Sequence, residues 1–395
     1  MKSILVRYGE LTLKGNNRDI FIDKLNKNIK FKLKPFKSFF EYKKDRNSLE
    51  LELLDENYIE PILKELKDVF GIYSLSIADR VEKDPKLIIK KVLEIAPTLS
   101  GHSFKVEVLR KDKSFPVRSD EFKREIATEI LKSIPNITVD VKTPQKLVSV
   151  LIKNNYTYIF IDRIDGLKGL PVGTSGKGLS LISGGIDSPV ASYLSLKRGM
   201  KVDYLHFMTP PHTTPEAVLK VFDLIKTTAK YNMRDFNFYV CDFSMLLKEL
   251  MHMKDDSYRI TIMRRVFLKI ANKLADKIDA QAIITGDALG QVASQTIESM
   301  NVIGSVSERQ IIRPLVTYDK EEIIKISEKI GAYEISILPF DDVCSIYVPD
   351  KPVIKPTLKK ALEQENELML DVMIDKTVND SIKKYYLKDG EWVES

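Results

Sequence analysis

Residues 181–189 read Leu181-Ile182-Ser183-Gly184-Gly185-Ile186-Asp187-Ser188-Pro189. An apolar run suited to a buried strand meets two glycines, then a polar pair, then a proline where the first position of a helix would fall. Gly184 and Gly185 are expected to let the backbone turn tightly and point its N–H groups inward. The hydroxyls of Ser183 and Ser188 add donors, and a helix N-terminus adds partial positive charge. The stretch therefore predicts a cradle for an anion the size of pyrophosphate. A bare Ser-Gly-Gly also occurs in ordinary strand-to-helix turns; the full Ser-Gly-Gly-x-Asp-Ser-Pro after a strand is what points to phosphate. The nearby Gly176-Lys177 is not a Walker loop, because Gly178 follows it and no glycine stands five residues before Gly176.

From Leu179 onward the chain alternates. Strand patterns at Leu179–Ile182, Lys201–Phe207, Asn237–Val240 and Ala282–Thr285 are separated by helical patterns at Pro189–Lys197, Pro215–Tyr231 and Tyr258–Asp276. That order predicts an α/β fold, a Rossmann-like parallel sheet with helices on both faces. Before it, residues 166–178 hold five glycines and a proline and read as a linker. Residues 56–165 read as a small α+β region. Its elements are a helix at Pro61–Val69 with the proline first, a strand at His102–Arg110, a helix at Ser119–Ser133, and strands at Leu147–Ile152 and Tyr156–Ile161. Residues 1–55 give a strand at Ser3–Arg7, a Lys-rich helix around 17–31 and a strand at Leu49–Leu54. The expected division is 1–55, 56–165, the linker 166–178, and 179–388.

Composition narrows the class. The chain has 395 residues, 44% hydrophobic and 30% charged, so it should fold as two or three domains. Lys and Arg exceed Asp and Glu by 62 to 56, with a pI near 8.9, which permits a polyanionic partner without demanding one. Two distant cysteines, Cys241 and Cys344, exclude a disulfide framework and a Cys-x-x-Cys metal site and fit a reducing compartment. The four histidines show no zinc-ligand spacing. The N-terminal apolar run is too short for a signal peptide, and no apolar span is long enough to cross a bilayer. A cytoplasmic protein with no membrane association is expected.

The loop string resembles the signature of the PP-loop ATP pyrophosphatases, which cleave ATP to AMP and pyrophosphate. Residues 4–18, Ile-Leu-Val-Arg-Tyr-Gly-Glu-Leu-Thr-Leu-Lys-Gly-Asn-Asn-Arg, look like the opening of the tRNA 4-thiouridine synthetases (tRNA uracil 4-sulfurtransferases). Gly169-Leu170-Pro171-Val172-Gly173, the run Gly286 to Thr296, Arg313-Pro314-Leu315 and Cys344 follow in that family's order. The resemblance spans nearly the whole chain. It implies an N-terminal ferredoxin-like domain, a THUMP domain for RNA, and the PP-loop domain. It also implies ATP-dependent sulfur transfer to a tRNA uridine, the one at position 8, through an adenylated uridine and a cysteine persulfide. Where the family usually has Gly-Glu-Ser, this chain has Gly286-Asp287-Ala288, which keeps an acid and removes a hydroxyl. The sequence ends at Ser395 without the rhodanese domain that many members carry, so a form lacking it is expected.

Site residues follow from strand ends in a parallel sheet together with the resemblance. Leu181, Ile182, Ser183, Gly184, Gly185, Asp187 and Ser188, then His206 and Phe207, then Arg264, Gly286 and Gln295 are the expected nucleotide contacts. Asp187 is the acid expected to help hold Mg²⁺ with the triphosphate. Lys320 resembles a family lysine that could stabilise charge on the α-phosphate; taken alone it is a surface lysine at a helix start. His206 reads as a catalytic base or as a structural residue at a strand end. Arg264 is read as the family's nucleotide-contacting arginine, and Arg265 beside it as a surface residue. Cys344, in a polar loop before Pro349, Pro352 and Pro356, is read as the cysteine that either carries a persulfide or resolves one brought by a partner. Cys241 reads as buried and inert.

RNA capture is assigned to Lys105, Arg110, Lys111, Lys113, Arg118, Lys123 and Arg124, with Phe104 and Phe115 interleaved among them. The expected partners are the acceptor end of tRNA, a cysteine desulfurase or other persulfide donor, and a second copy of the chain in a homodimer. Three other readings compete: a different PP-loop tRNA modifier such as a lysidine or 2-thiocytidine enzyme, an RNA-binding protein with a degenerate nucleotide domain, and an amidotransferase-type synthetase of small molecules. The motifs in 4–18 argue against the first, the intact loop against the second, and residues 1–165 against the third.

Overall fold

The computed structural model describes residues 1–45, 48–233, 236–340, 347, 349 and 351–395. The chain forms two compact units, Met1–Gly169 and Leu170–Ser395.

The first unit is built on one sheet whose strands are β1 (Lys2–Arg7), β2 (Phe40–Asp45), β3 (Ser48–Leu53), β4 (Ser74–Val81), β5 (Ser103–Arg110), β6 (Thr138–Val139), β7 (Lys146–Ile152), β8 (Thr157–Ile161) and β9 (Ile164–Asp165). Their order is β2-β3-β1-β4-β8-β7-β5-β6, with β9 paired to β4. The β4–β8 pairing joins an N-terminal half to a second α+β half, so the two share a continuous sheet. The second half buries Val106, Val148, Val150 and Ile159 from the sheet against Ile88 and Val92 of helix 85–95 and Phe122, Ile126 and Ile130 of helix 119–133. The i, i+4, i+8 spacing on that last helix is the amphipathic stripe that its sequence predicts. The helix read as beginning at Pro61 starts at Ile59, so the proline is its third residue.

The second unit holds β10 (Lys177–Leu181), β11 (Lys201–Met208), β12 (Asn237–Asp242), β13 (Ala282–Ile284), β14 (Gln310–Ile312), β15 (Ile382–Lys388) and β16 (Glu391–Glu394). The order is β14-β13-β10-β11-β12-β15-β16. The first five are parallel, and the last two are added antiparallel at the edge. Helices 187–197, 215–229 and 320–330 pack together, as do helices 244–250, 259–277, 297–304 and 370–380, so the sheet lies between two helical layers. The chain steps from β10 to β11 and β12, then returns to place β13 on the other side of β10. The order of strands therefore reverses between β10 and β13. In an open parallel sheet the crevice beyond the carboxyl ends at that reversal is where ligands bind.

The stretch read as a linker is hydrogen-bonded along its length. Gly166 and Lys168 donate to Tyr73 and Ile72 in the first unit. Leu170, Gly173 and Thr174 donate to Lys197 and Gly199 in the second. Among the described residues no helix is long and apolar enough to cross a membrane.

Candidate functional site

The phosphate loop leaves the end of β10, next to the reversal point. Helix 187–197 begins at Asp187, two residues earlier than its proline suggested, so Pro189 is the third helical residue. Ile186, at the N-cap, supplies no side-chain cap. The backbone N–H groups of a helix's first turn lack intrahelical partners, and without a cap they are left to a ligand. Ser188 is buried and stitches the loop shut: its Oγ accepts from Ser183 N at 2.9 Å and lies 3.1 Å from Ser183 Oγ. Gly184 and Gly185 lie in a bend of the backbone, and neither is among the glycines with positive φ. A Cβ on Gly185 would meet only Ser183 Oγ, at 3.5 Å, so its bareness serves no packing within the chain.

His206 is 2% exposed and its Nδ1 lies 3.0 Å from the carbonyl oxygen of Ile182. A carbonyl only accepts, so Nδ1 carries the proton and donates it. This side chain fixes the start of the loop, which favours the structural reading over that of a base. Phe207 is likewise a core residue, stacked on Phe267 of helix 259–277 with ring centroids 4.0 Å apart.

Asp187 sits between two donors. Lys320 Nζ donates to its Oδ1 at 2.7 Å and Gln291 Nε2 to its Oδ2 at 2.9 Å. Lys320 opens helix 320–330, where a cation opposes the helix dipole. Asp319 and Glu322 form a full capping box there and offset that penalty. Gln291, which the sequence reading passed over, lies inside the run Gly286–Thr296, and only the fold brings it to Asp187.

Arg264 is held by Asp287, with which its NH2 forms a short ion pair, and by Ser294 Oγ at 2.9 Å. Asp287 is 5% exposed and also accepts from Thr285 Oγ1 at 2.7 Å and from Arg313 Nε at 3.3 Å. Burial works against its ionisation, but Arg264, the Thr285 hydroxyl and Arg313 outweigh burial and hold its carboxyl below the usual range. Arg265 is not the surface residue that its sequence position suggested. It is 1% exposed and grips Glu365 with two nitrogens, at 2.7 and 3.1 Å. One residue along a helix is a rotation of about 100°, which sends the neighbouring arginines to opposite environments.

Gln295 is 8% exposed, and among the described residues its Oε1 is a buried acceptor with no hydrogen-bond partner. Cys344 lies outside the described residues. Cys241 is fully buried in β12, and burial pushes its thiol pKa up, so it is not a nucleophile as it stands. Among the described residues no group of three metal-ligating side chains occurs.

In the first unit, Lys105, Lys111 and Lys123 line one cavity of about 500 Å³, together with Arg7, Arg163 and the acids Glu107 and Asp120. Lys113, Arg118 and Arg124 are exposed. Arg110 turns inward to the carbonyls of Phe115 and Val117, at 3.1 and 2.9 Å, and serves the loop. Phe104 and Phe115 are 0% and 4% exposed members of the core, so they offer no stacking surface to a base.

Comparison with known proteins identifies the family. The model described as thiamine biosynthesis protein (ThiI) matches residues 173–370, the ThiI ferredoxin-like domain 3–76 and the THUMP domain 83–162. A protein of Ureaplasma urealyticum serovar 10 named "Probable tRNA sulfurtransferase" is 43% identical over 359 residues, 90% of this chain and 91% of its own. One of the same name from Ureaplasma parvum serovar 3 is 44% identical, covering 90% and 92%. A 4-thiouridine synthetase solved as an RNA complex with bound ATP superposes with a TM-score of 0.89 at 32% identity, covering 98% of this chain and all of the other. A Pyrococcus horikoshii protein shares the fold at a TM-score of 0.65 and 22% identity. The ferredoxin-like, THUMP and PP-loop parts, in that order and at that identity, place this chain in the ThiI family of tRNA sulfurtransferases.

Proposed function

We propose that the chain makes 4-thiouridine in tRNA in two steps, first adenylating a uridine, the one at position 8, and then exchanging the activated oxygen for sulfur. The observation that carries the proposal is the uncapped start of helix 187–197 beside Lys320 and Asp187 at the reversal point of the sheet. In the first step uridine O4 attacks the α-phosphorus of ATP, the bond to the β-phosphate breaks, and pyrophosphate leaves while the N3 proton is released. The donors around Gly184 and Gly185 suit the departing group. Gln295 Oε1, buried and without an acceptor's usual partner, suits an amino donor such as that of adenine. The main chain at Leu181, Ile182, His206 and Phe207 is placed to read the remaining edge, and Arg264 suits the nucleotide's negative charge. The relative solved with ATP and RNA supports this use of the crevice.

A single carboxylate, Asp187, fits a Mg²⁺ ion that arrives on the triphosphate, since Mg²⁺ in such sites takes one or two protein acids and fills the rest with water and phosphate oxygens. The ion would neutralise phosphate charge. Lys320, 2.7 Å from that acid, is positioned for charge developing on the α-phosphate. In the second step the terminal sulfur of a persulfide forms the C4–S bond and AMP leaves with the electrons of the C4–O bond. A second thiol then cleaves the S–S bond. Cys344 is one of the two sulfurs, and a cysteine desulfurase or other persulfide donor supplies the rest.

RNA is proposed to lie along the first unit. Burial and the neighbouring Arg163 lower the Arg7 guanidinium to about 10, so a phosphate beside that pair would relieve their repulsion. A homodimer, in which one copy holds the acceptor end while the other does the chemistry, and a cytoplasmic location fit the same reading. Mass spectrometry of tRNA nucleosides from cells with and without the protein tests it: loss of 4-thiouridine on deletion supports the assignment, and an unchanged nucleoside profile rejects it.

A further inference from the structure

Gln291 lies on the loop that follows β13 and is exposed. Its main chain is braced: Leu289 N donates to Val316 O at 3.2 Å, Gly290 N to Gln295 O at 2.8 Å and Gln291 N to Ala288 O at 3.3 Å. From that base the side chain reaches Asp187, with Nε2 donating to Oδ2 at 2.9 Å. A carboxylate oxygen only accepts, so the amide nitrogen faces Asp187 and the amide oxygen points away from it. Lys320 Nζ holds the other oxygen, Oδ1, at 2.7 Å. Rotation about the last bond of an aspartate is soft, and an ion pair held through one oxygen would leave the carboxylate to swivel about that contact. The amide of Gln291 removes this freedom. It does so without charge: a cation at 291 would offset the negative charge that Mg²⁺ seeks, and an acid would repel Asp187. Two donors also leave about two of the roughly four lone-pair sites of the carboxylate open to a ligand.

We propose that Gln291 is a positioning residue for adenylation: it sets the plane of the Asp187 carboxylate, so that one oxygen orients Lys320 and the remaining lone pairs face the Mg²⁺ of the triphosphate. It acts through Asp187 and needs no contact with ATP. The assignment rests on the adenylation reading above. Full-length Gln291→Met, which loses the donor, and Gln291→Glu, which keeps the shape but when ionised only accepts, are compared with wild type. The rate is that of pyrophosphate release in a single turnover, with enzyme in excess over ATP and with Mg²⁺, tRNA transcript, a cysteine desulfurase and cysteine present. The affinity for ATP with Mg²⁺ is measured beside it by calorimetry. Both variants should lose about tenfold or more in rate while affinity stays within about threefold, because a misplaced group at the reacting centre is felt mainly in the transition state. Gln291→Glu that releases pyrophosphate at the wild-type rate would show that shape alone matters there. Affinity that falls as far as the rate would make Gln291 a binding contact, and an unchanged rate in Gln291→Met would make it dispensable; each result overturns the proposal. The side chain is exposed, so Gln291→Met should melt within about 2 °C of wild type. If Gln291→Glu proves unstable, Gln291→Met decides alone. Wild-type protein that releases no pyrophosphate with RNA would strike the adenylation reading itself, before Gln291 is in question.

Discussion

Gly286 lies against the start of the helix that follows the phosphate loop: a Cβ on it would stand 2.9 Å from the backbone nitrogen of Ser188 and 3.0 Å from the carbonyl carbon of Asp187. Neither neighbour is a flexible side-chain end, so the loop after β13 can approach the phosphate loop only if residue 286 has no side chain. Gly286→Ala should push the two loops apart, raising the KM for ATP by at least about tenfold and costing about 1–3 kcal/mol of stability. Steady-state kinetics and chemical denaturation check it; an alanine variant with wild-type KM would show that the contact is not needed.

Asp287 carries a pH-dependent share of stability. Its folded pKa lies below the ordinary value of about 3.8, so the contribution is fully present above that value and is lost as pH falls through the lower, folded one. Asp287→Asn leaves Arg264 and Arg313 without their shared carboxylate, and should cost about 3 kcal/mol at neutral pH. The gap between wild type and variant should narrow below about pH 4. Urea denaturation across pH 3–7 measures it, and a gap that widened with acid would contradict the assignment.

The two cysteines should separate cleanly. Cys344→Ser should abolish 4-thiouridine while leaving RNA binding and RNA-dependent pyrophosphate release near wild type. Cys241→Ser, at a buried thiol with a raised pKa, should retain thiolation and lose at most some stability. A fully active Cys344→Ser enzyme would remove that residue from the mechanism.

Salt dependence distinguishes the basic residues of the first unit. Lys113, Arg118 and Arg124 are exposed, so each substitution by Gln should reduce the slope of log K against log salt by about 0.7–0.9 if that side chain meets a phosphate. Arg110→Gln should instead lower the stability of the unit, because that side chain holds the carbonyls of Phe115 and Val117. Binding that is unchanged from low to high salt would dismiss the phosphate contacts altogether.

Much of the second unit was legible because period-3.6 and buried-strand patterns alternate there, and because Ser-Gly-Gly-x-Asp-Ser-Pro marks the strand end at which the proposed phosphate site lies. Other features were hidden for physical reasons. Strand β4 reads Ser-Leu-Ser-Ile-Ala-Asp-Arg-Val, and its polar residues mask a strand that has partners on both edges. The β15–β16 hairpin is charged and amphipathic, yet its Asp389-Gly390 turn, with positive φ at both residues, is a signal for a two-residue hairpin that went unread. Arg264 and Arg265 cannot be told apart by type, since only the helix phase sends one to Asp287 and the other to Glu365. Phe104 and Phe115 looked like bases' stacking partners because aromatic residues beside lysines look the same whether they face a core or a strand of RNA. The Asp187–Gln291 contact joins residues 104 positions apart and needs the sheet order to be known.

The nucleotide products of a single incubation test the central claim most directly. Purified protein given ATP, Mg²⁺, an unmodified tRNA transcript and a cysteine desulfurase with cysteine as sulfur source should release AMP and pyrophosphate in equal amounts, dependent on the RNA and lost in Asp187→Ala. ADP and phosphate, or no nucleotide product, would contradict it.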